Sequence, residues 1–276
     1  MEALTLIVGF LYISSSLAYA LYFFMRKKYF QKAGNCFFWG AFLSHSVIIG
    51  WEFAKAGHLP VRNLRETLLI AAWSVAVVFL ALKRRHNLKI LGIYAAPLAA
   101  IIMTAASLLP NEPSQSKNIF ASVWLIFHIV SIFIGEAALA LACGIGIFYL
   151  LQEHGIKTKK RGFFFRRLPS LDLLDTAGYS CISVGFVMLS MGLITGFIYA
   201  KIIWGAFWRW DPKEVWSGVA WLLYAALLHG RLTVGWRGRK AAIFAIVGFA
   251  VMAFTFFGVN FLMEGHHGEF TRIIKG

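Results

Sequence analysis

Four tryptophans, two acids and two bases fall within thirteen residues, Trp204-Gly205-Ala206-Phe207-Trp208-Arg209-Trp210-Asp211-Pro212-Lys213-Glu214-Val215-Trp216, between two long apolar segments. Indoles at that density suit a membrane-surface loop lying against a large flat aromatic ligand, because the ring face stacks while the N–H keeps one polar handle. Tryptophan also gathers at membrane interfaces where no ligand is involved. Such a belt needs only scattered tryptophans. It has no use for the rigid WDPKE turn, in which Pro212 fixes its own φ and restricts Asp211 before it.

The histidines are the second chemical signal. His86 and His154 lie among charged residues and read as solvated. His128 lies early in the fifth apolar run, and His267, next to His266, follows the eighth. Neutral imidazoles are good axial ligands for haem iron, and two from opposite sides give a six-coordinate site. Tryptophans such as Trp204, Trp208, Trp210 and Trp216 can cover the porphyrin, and Arg209 and Lys213 can pair with its propionates. Taken singly, each histidine reads as a structural hydrogen-bonding or surface residue. Taken with the tryptophan loop, His128 and His267 read as ligands of one iron, with His267 preferred over His266. His229 lies about 20 Å further along the seventh run, at 1.5 Å per residue, and belongs to a second, deeper position. His45, midway along the second run and similar in depth, reads as a satisfied polar contact, with a ligand at the deeper position as the alternative. His58, in Gly57-His58-Leu59-Pro60 before Asn63 and Glu66, reads as part of an ordered loop. Glu136 is an acid inside a helix core and must be protonated, paired or beside a wet cavity.

The elements that carry these residues follow from composition. The chain has 276 residues, is 59% hydrophobic and 14% charged, and has a mean hydropathy of +0.71. Apolar runs of about 18 or more residues read as membrane-spanning helices. Eight are predicted: Leu4–Met25, Cys36–Ala54, Glu66–Leu82, Leu88–Leu109, Ile119–Leu151, Tyr179–Ile203, Val215–Val234 and Ala241–Met263. The expectation is an all-α polytopic membrane protein forming a single integral-membrane domain over residues 1–276, with residues 204–216 as the loop between helices six and seven. The first run lacks preceding basic residues and a small-residue cleavage site, and reads as a retained helix rather than a signal peptide. The longest hydrophilic connection is Gln152–Asp175.

The net charge of +15 is distributed by side. Arg26, Lys27, Lys28 and Lys32, then Lys83, Arg84, Arg85 and Lys89, then Lys157–Arg167, then Arg231–Lys240 occupy alternate connections. The positive-inside rule then places both termini and the tryptophan loop on the extracytoplasmic side. The basic excess reflects topology and attraction to anionic lipid in the bilayer, with no nucleic-acid partner implied. Cys36, Cys143 and Cys181 form no CxxC pair and read as small buried hydrophobes. No CxxCH is present, so the chain is not itself a c-type cytochrome. Inverted repeats and paired Gly/Pro-broken helices, which mark many secondary transporters, are not evident.

WGxxWxWDPKExW, followed by Trp221, Tyr224 and His229, is similar to the tryptophan-rich signature of haem-handling proteins of cytochrome c biogenesis, above all the CcsA (ResC) family of system II. Gly57-His58-x-Pro60-x-x-Asn63 with Glu66, His128, and Phe257-Gly258-Val259-Asn260 ahead of His267 extend the likeness over nearly the whole chain. The resemblance implies a protein of a plasma, inner or thylakoid-type membrane that takes haem b and presents it outside for attachment to the CxxCH of an apocytochrome c. It implies His128 and His267 as outer axial ligands, Trp204–Trp216 as the haem platform, with Arg209 and Asp211 inside it, and His229 as one ligand of a transmembrane haem. The other ligand of that site is implied to come from a CcsB (ResB) membrane subunit. A haem exporter or a HemX-type regulatory protein without attachment activity is the alternative. Tyr199, Lys201, Arg65, His266 and Glu269 depart from the usual family pattern.

Overall fold

The computed structural model of the chain describes residues 2–86, 88–110, 122–159, 162–163 and 166–258. His266 and His267 lie outside the described residues. Among the described residues all regular structure is helical. The helices are α1 (Glu2–Met25), α2 (Lys28–Ala56), α3 (Leu64–His86), α4 (Gly92–Leu108), α5 (Val123–Lys157), α6 (Leu171–Trp204), α7 (Pro212–His229) and α8 (Arg239–Ala253). Seven of them are long and apolar enough to cross a membrane, and the protein is a multi-pass membrane protein. The helix outside that set is α7, whose first turn carries Lys213 and Glu214.

Several helices run past their apolar stretch, because end residues supply local bonds that hydropathy does not register. At α6, Ser170 caps the start by accepting the Leu173 N–H (3.4 Å), so the helix begins at Leu171 rather than Tyr179. The Glu153–Lys157 pair (2.8 Å) carries α5 to Lys157, beyond Leu151. The hydrophilic connection expected over Gln152–Asp175 is therefore shorter, residues 158–170. The tryptophan stretch is likewise shorter as a loop. Trp204 closes α6 and Pro212 opens α7, leaving residues 205–211 as the irregular link. Two expected spans end early as α-helix: α7 passes at Gly230 into a π-helical turn, Gly230–Val234, and α8 passes at Phe254 into another, Phe254–Gly258.

The chain divides into two compact units, Met1–Ala121 and Ser122–Gly276. In the first, α1 packs on α2 and α4, and α3 packs on α4. Its core is aromatic: Tyr12, Phe38 and Phe79 are fully buried and meet edge to face, Tyr12–Phe38 at 5.4 Å and Phe38–Phe79 at 4.8 Å. His45 is fully buried among them and meets the Tyr12 hydroxyl through Nδ1 (3.4 Å), while its buried Nε2 has no partner among the described residues, so the contact expected of it satisfies only one ring nitrogen. Towards the other end of the unit, Tyr19 donates to Asn35 Oδ1 (2.6 Å), and Lys83 also bonds that oxygen.

In the second unit α5 and α6 form a long antiparallel pair, with α8 against α5 and α7 against α8. Tyr224 on α7 lies against Gly248 on α8, where any added Cβ would stand 2.7 Å from the ring. Trp216 packs on Phe254 (4.7 Å) and Phe133 on Phe256 (6.5 Å). The start of α5, the end of α6, the start of α7 and the end of α8 thus share one end of this unit.

Candidate functional site

The tryptophan link is shaped by its acids. Asp211 is the N-cap of α7, and its carboxylate accepts the Lys213 N–H (2.9 Å). Glu214, at the third helical position, reaches back and accepts the Asp211 N–H (3.3 Å) through Oε2. Together with Pro212 in the first turn this is a capping box, contributing about 1 kcal/mol to the helix start. The same Oε2 also accepts the Arg209 N–H (2.9 Å), so one carboxylate holds the backbone on both sides of Trp210.

Trp210 sits between those two bonds at φ 60°, the left-handed region that bulky L-residues rarely enter. That conformation costs about 1–2 kcal/mol. The indole it presents is 77% exposed and stands at right angles to Trp208 (5.7 Å, 88°). Trp208 in turn packs edge to face on Phe197 of α6 (5.7 Å). Its Nε1–H is buried and has no acceptor among the described residues. Trp216 points to Phe254, and Trp204 is the last residue of α6, so only Trp208 and Trp210 belong to the link itself.

His128 reaches the same stretch of α6 from α5. Its Nδ1 lies 2.7 Å from the Gly192 carbonyl oxygen. A carbonyl can only accept, so Nδ1 carries the proton and the lone pair is on Nε2. That is the tautomer a metal-ligating histidine adopts when a backbone carbonyl orients it. A Cβ on Gly196 would stand 2.8 Å from the imidazole, so the missing side chain at 196 makes the seat for the ring. His128 at Gly196 and Trp208 at Phe197 therefore meet α6 at neighbouring residues. About two turns deeper, Trp221 of α7 donates to Ser190 Oγ (2.8 Å) and lies on Phe186, anchoring α7 to α6 below the link.

The other expected site residues are distributed as follows. Asp211, grouped from sequence with ligand-contacting residues, is 6% exposed and its carboxylate caps α7. Lys213 lies within electrostatic reach of Asp211 and of Glu136 on α5, which gives the intramembrane acid a cationic neighbour. Arg209 is exposed. His229 ends α7, roughly 26 Å along the axis from Pro212 at 1.5 Å per residue, and its side chain is exposed. It stands apart from the His128 cluster, in line with a separate deeper position. Sequence reasoning missed Glu214 as a clamp on two amides, although the D-x-x-E spacing of Asp211 and Glu214 carries that signal. It also missed Gly192 and Gly196 as the seat of His128.

The donor set discriminates between ligands. Among the described residues there is no cluster of three or more His, Cys, Asp or Glu able to hold a bare metal ion. What this end of the second unit offers is an imidazole with its lone pair on Nε2, two indoles, one of them with a buried N–H lacking an acceptor among the described residues, and an exposed guanidinium between them in sequence. Those groups fit a planar macrocycle carrying carboxylates and an axial coordination position.

Fold and site define a class: an all-helical multi-pass membrane protein with a histidine and a tryptophan-rich helix start gathered at one end of its second unit. Residues 61–267 match the family described as Cytochrome C assembly protein. The chain is 35% identical over 240 residues to the cytochrome c biogenesis protein CcsA of Prochlorococcus marinus (strain MIT 9301), covering 79% of this chain and 78% of that protein. It is 33% identical over 252 residues to CcsA of Synechococcus sp. (strain CC9902), 82% of each chain. To CcsA of Guillardia theta it is 30% identical over 263 residues, 86% of this chain and 87% of the other. The chain belongs to the cytochrome c assembly protein family, in its CcsA, system II, branch.

Proposed function

We propose that this chain holds haem b at the extracytoplasmic membrane face for covalent attachment to the CxxCH of an apocytochrome c, acting with a CcsB/ResB-like membrane subunit. The observation that carries this reading is that His128 and Trp208 seat on consecutive residues of α6, Gly196 and Phe197, with the imidazole lone pair on Nε2 and a buried indole N–H without an acceptor among the described residues. The loop charge bias supports the extracytoplasmic side. Membership of the cytochrome c assembly family supports the haem and apocytochrome substrates.

In this reading haem supplies the vinyl groups, each thioether forming as a thiol sulfur bonds one vinyl carbon and the thiol proton passes to the other. The protein's own work is to hold and orient. His128, through Nε2, and His267 would hold the iron. Trp208 and Trp210 cover the ring, Trp204 and Trp216 flank it from the helix ends, and Arg209 takes a propionate. Asp211 acts through the helix start that aims Trp210. His229, exposed on α7, serves a second haem within the membrane together with the partner subunit.

The test is the optical spectrum of the chain purified with its partner subunit in mild detergent. A bis-histidine haem b spectrum is expected, and His128→Ala should lose it, along with holocytochrome formation. A colourless complex, or normal attachment by His128→Ala without added imidazole, overturns the reading.

A further inference from the structure

The connection from α7 to α8, at the end of the unit opposite the tryptophan link, is tied to a single carboxylate. Asp175 of α6 accepts from both terminal nitrogens of Arg231, Nη1 to Oδ1 at 3.0 Å and Nη2 to Oδ2 at 2.7 Å. Oδ1 also accepts the Gly238 N–H (2.8 Å). The pair is largely enclosed, with the Arg231 and Asp175 side chains 10% and 17% exposed. The guanidinium lies over the Tyr179 ring (4.4 Å). A fork-to-fork arginine–carboxylate contact fixes direction as well as distance. Gly238, where the chain turns into α8, has φ 64° and ψ −124°, a region open only to glycine, and the Tyr149 hydroxyl stands where a Cβ would be, 2.5 Å away.

Between these two ties lies the π-helical turn Gly230–Val234. Such turns are rare and occur mostly as single-turn bulges, frequently at functional sites. Here the Trp236 N–H donates to the Gly230 carbonyl (3.0 Å) and its ring lies where a Cβ on Gly230 would be, while Asp175 bonds Arg231 and Gly238. His229 immediately precedes the turn, and its carbonyl accepts the Thr233 hydroxyl (2.7 Å). Residues two apart on a helix are separated by about 200° around the axis. With Arg231 drawn inward onto α6, His229 must face the other way, and it is exposed.

We propose that Asp175 is a positioning residue for His229: by holding Arg231 and Gly238 on one carboxylate it sets the rotation of the end of α7, and so the face on which His229 is presented. The inference rests on the reading of His229 as a ligand of haem within the membrane.

The test uses the full chain with its partner subunit in mild detergent, and has one arm without haem. A nitroxide is attached at His229→Cys, with Cys36, Cys143 and Cys181 replaced by Ala, and a control label is placed at Leu222→Cys, also exposed on α7. Asp175→Ala is expected to raise nitroxide mobility severalfold at 229 and leave it unchanged at 222. Pairing Asp175→Arg with Arg231→Asp is expected to restore it. With His229 intact and haem b added, Asp175→Ala is expected to weaken the His229-dependent low-spin signal by about tenfold, the scale of an orienting-partner loss at a metal ligand, with recovery on adding imidazole. The His128-dependent signal should be unaffected. Unchanged mobility at 229, or an equal rise at both labels, overturns the positioning role. Undiminished haem absorbance in His229→Ala overturns the ligand reading instead.

Discussion

Two helices of this protein begin with the same device and put it to different use. At the start of α3, Asn63 accepts the Glu66 N–H (2.8 Å), and Glu66 reaches back to the Arg62 N–H (2.8 Å). At the start of α7, Asp211 and Glu214 do the corresponding work, and Glu214 also reaches back past the cap to Arg209. Each is an acceptor at the cap with a glutamate three residues on. Before α3 the chain is quiet. Gly57 takes the one positive φ in that turn, His58 bonds the Leu59 carbonyl (2.9 Å), and Arg62 adds a salt bridge to Glu66 (3.7 Å). Before α7, Gly205 closes α6 with a positive φ just as Gly57 closes α2, but a second positive φ falls on Trp210, and the Glu214 carboxylate that completes the cap also accepts the Arg209 N–H beside that indole, which is 77% exposed. Helix capping is a local rule. What sits on the capped turn, and what faces it across the bundle, makes one of them a candidate site.

Three comparisons probe that difference, from the largest effect to the smallest. Gly196→Val puts carbon where the His128 ring lies, 2.8 Å from the first atom added. The imidazole must leave its seat and its bond to Gly192. Haem retention in the purified complex is expected to fall by more than about tenfold, with a stability loss of about 1–3 kcal/mol from overpacking in a thermal melt. Retention at the parent level would show that the ring orientation is not used. Glu214→Ala and Glu66→Ala should be compared directly. Each loses a capping partner, at about 1 kcal/mol measured by denaturation. Only Glu214→Ala is expected to lower haem retention severalfold, because only there does the carboxylate also fix Trp210. Equal haem loss in both would reduce the α7 start to ordinary capping. Trp210→Gly removes the left-handed strain, which returns about 1 kcal/mol. Its melting temperature is expected to match or exceed that of Trp210→Ala, while both lose haem. A Trp210→Gly protein less stable than Trp210→Ala would show that φ at 210 carries no strain.

Much of this was legible in order along the chain. The eight apolar runs each contain a helix, because about 18 apolar residues have no other stable place than a bilayer. The rigid turn at WDPKE was legible because Pro212 and the Asp211–Glu214 spacing act within five residues. His58 as part of an ordered turn also follows from local context. Helix ends were less legible. Hydropathy counts transfer energy, whereas ends are decided by single bonds such as Ser170 to Leu173. The shortened α7 was hidden because the carboxylate that bonds its π-helical turn, Asp175, lies 56 residues before Arg231 in the chain. The seat of His128 was hidden for the same reason, since its carbonyl partner lies 64 residues away.

Composition and periodicity alone settled that this chain is helical, multi-pass and membrane-borne, and its tryptophan and histidine spacing marked the family. These properties follow from short-range chemistry: burial of apolar surface, proline geometry and caps that close within a few residues. Tertiary structure decided which histidine tautomer is set, which tryptophans belong to the link, and which way His229 faces. Each depends on a hydrogen bond or ring contact between helices far apart in sequence, and antiparallel packing in the second unit is what brings those atoms within reach.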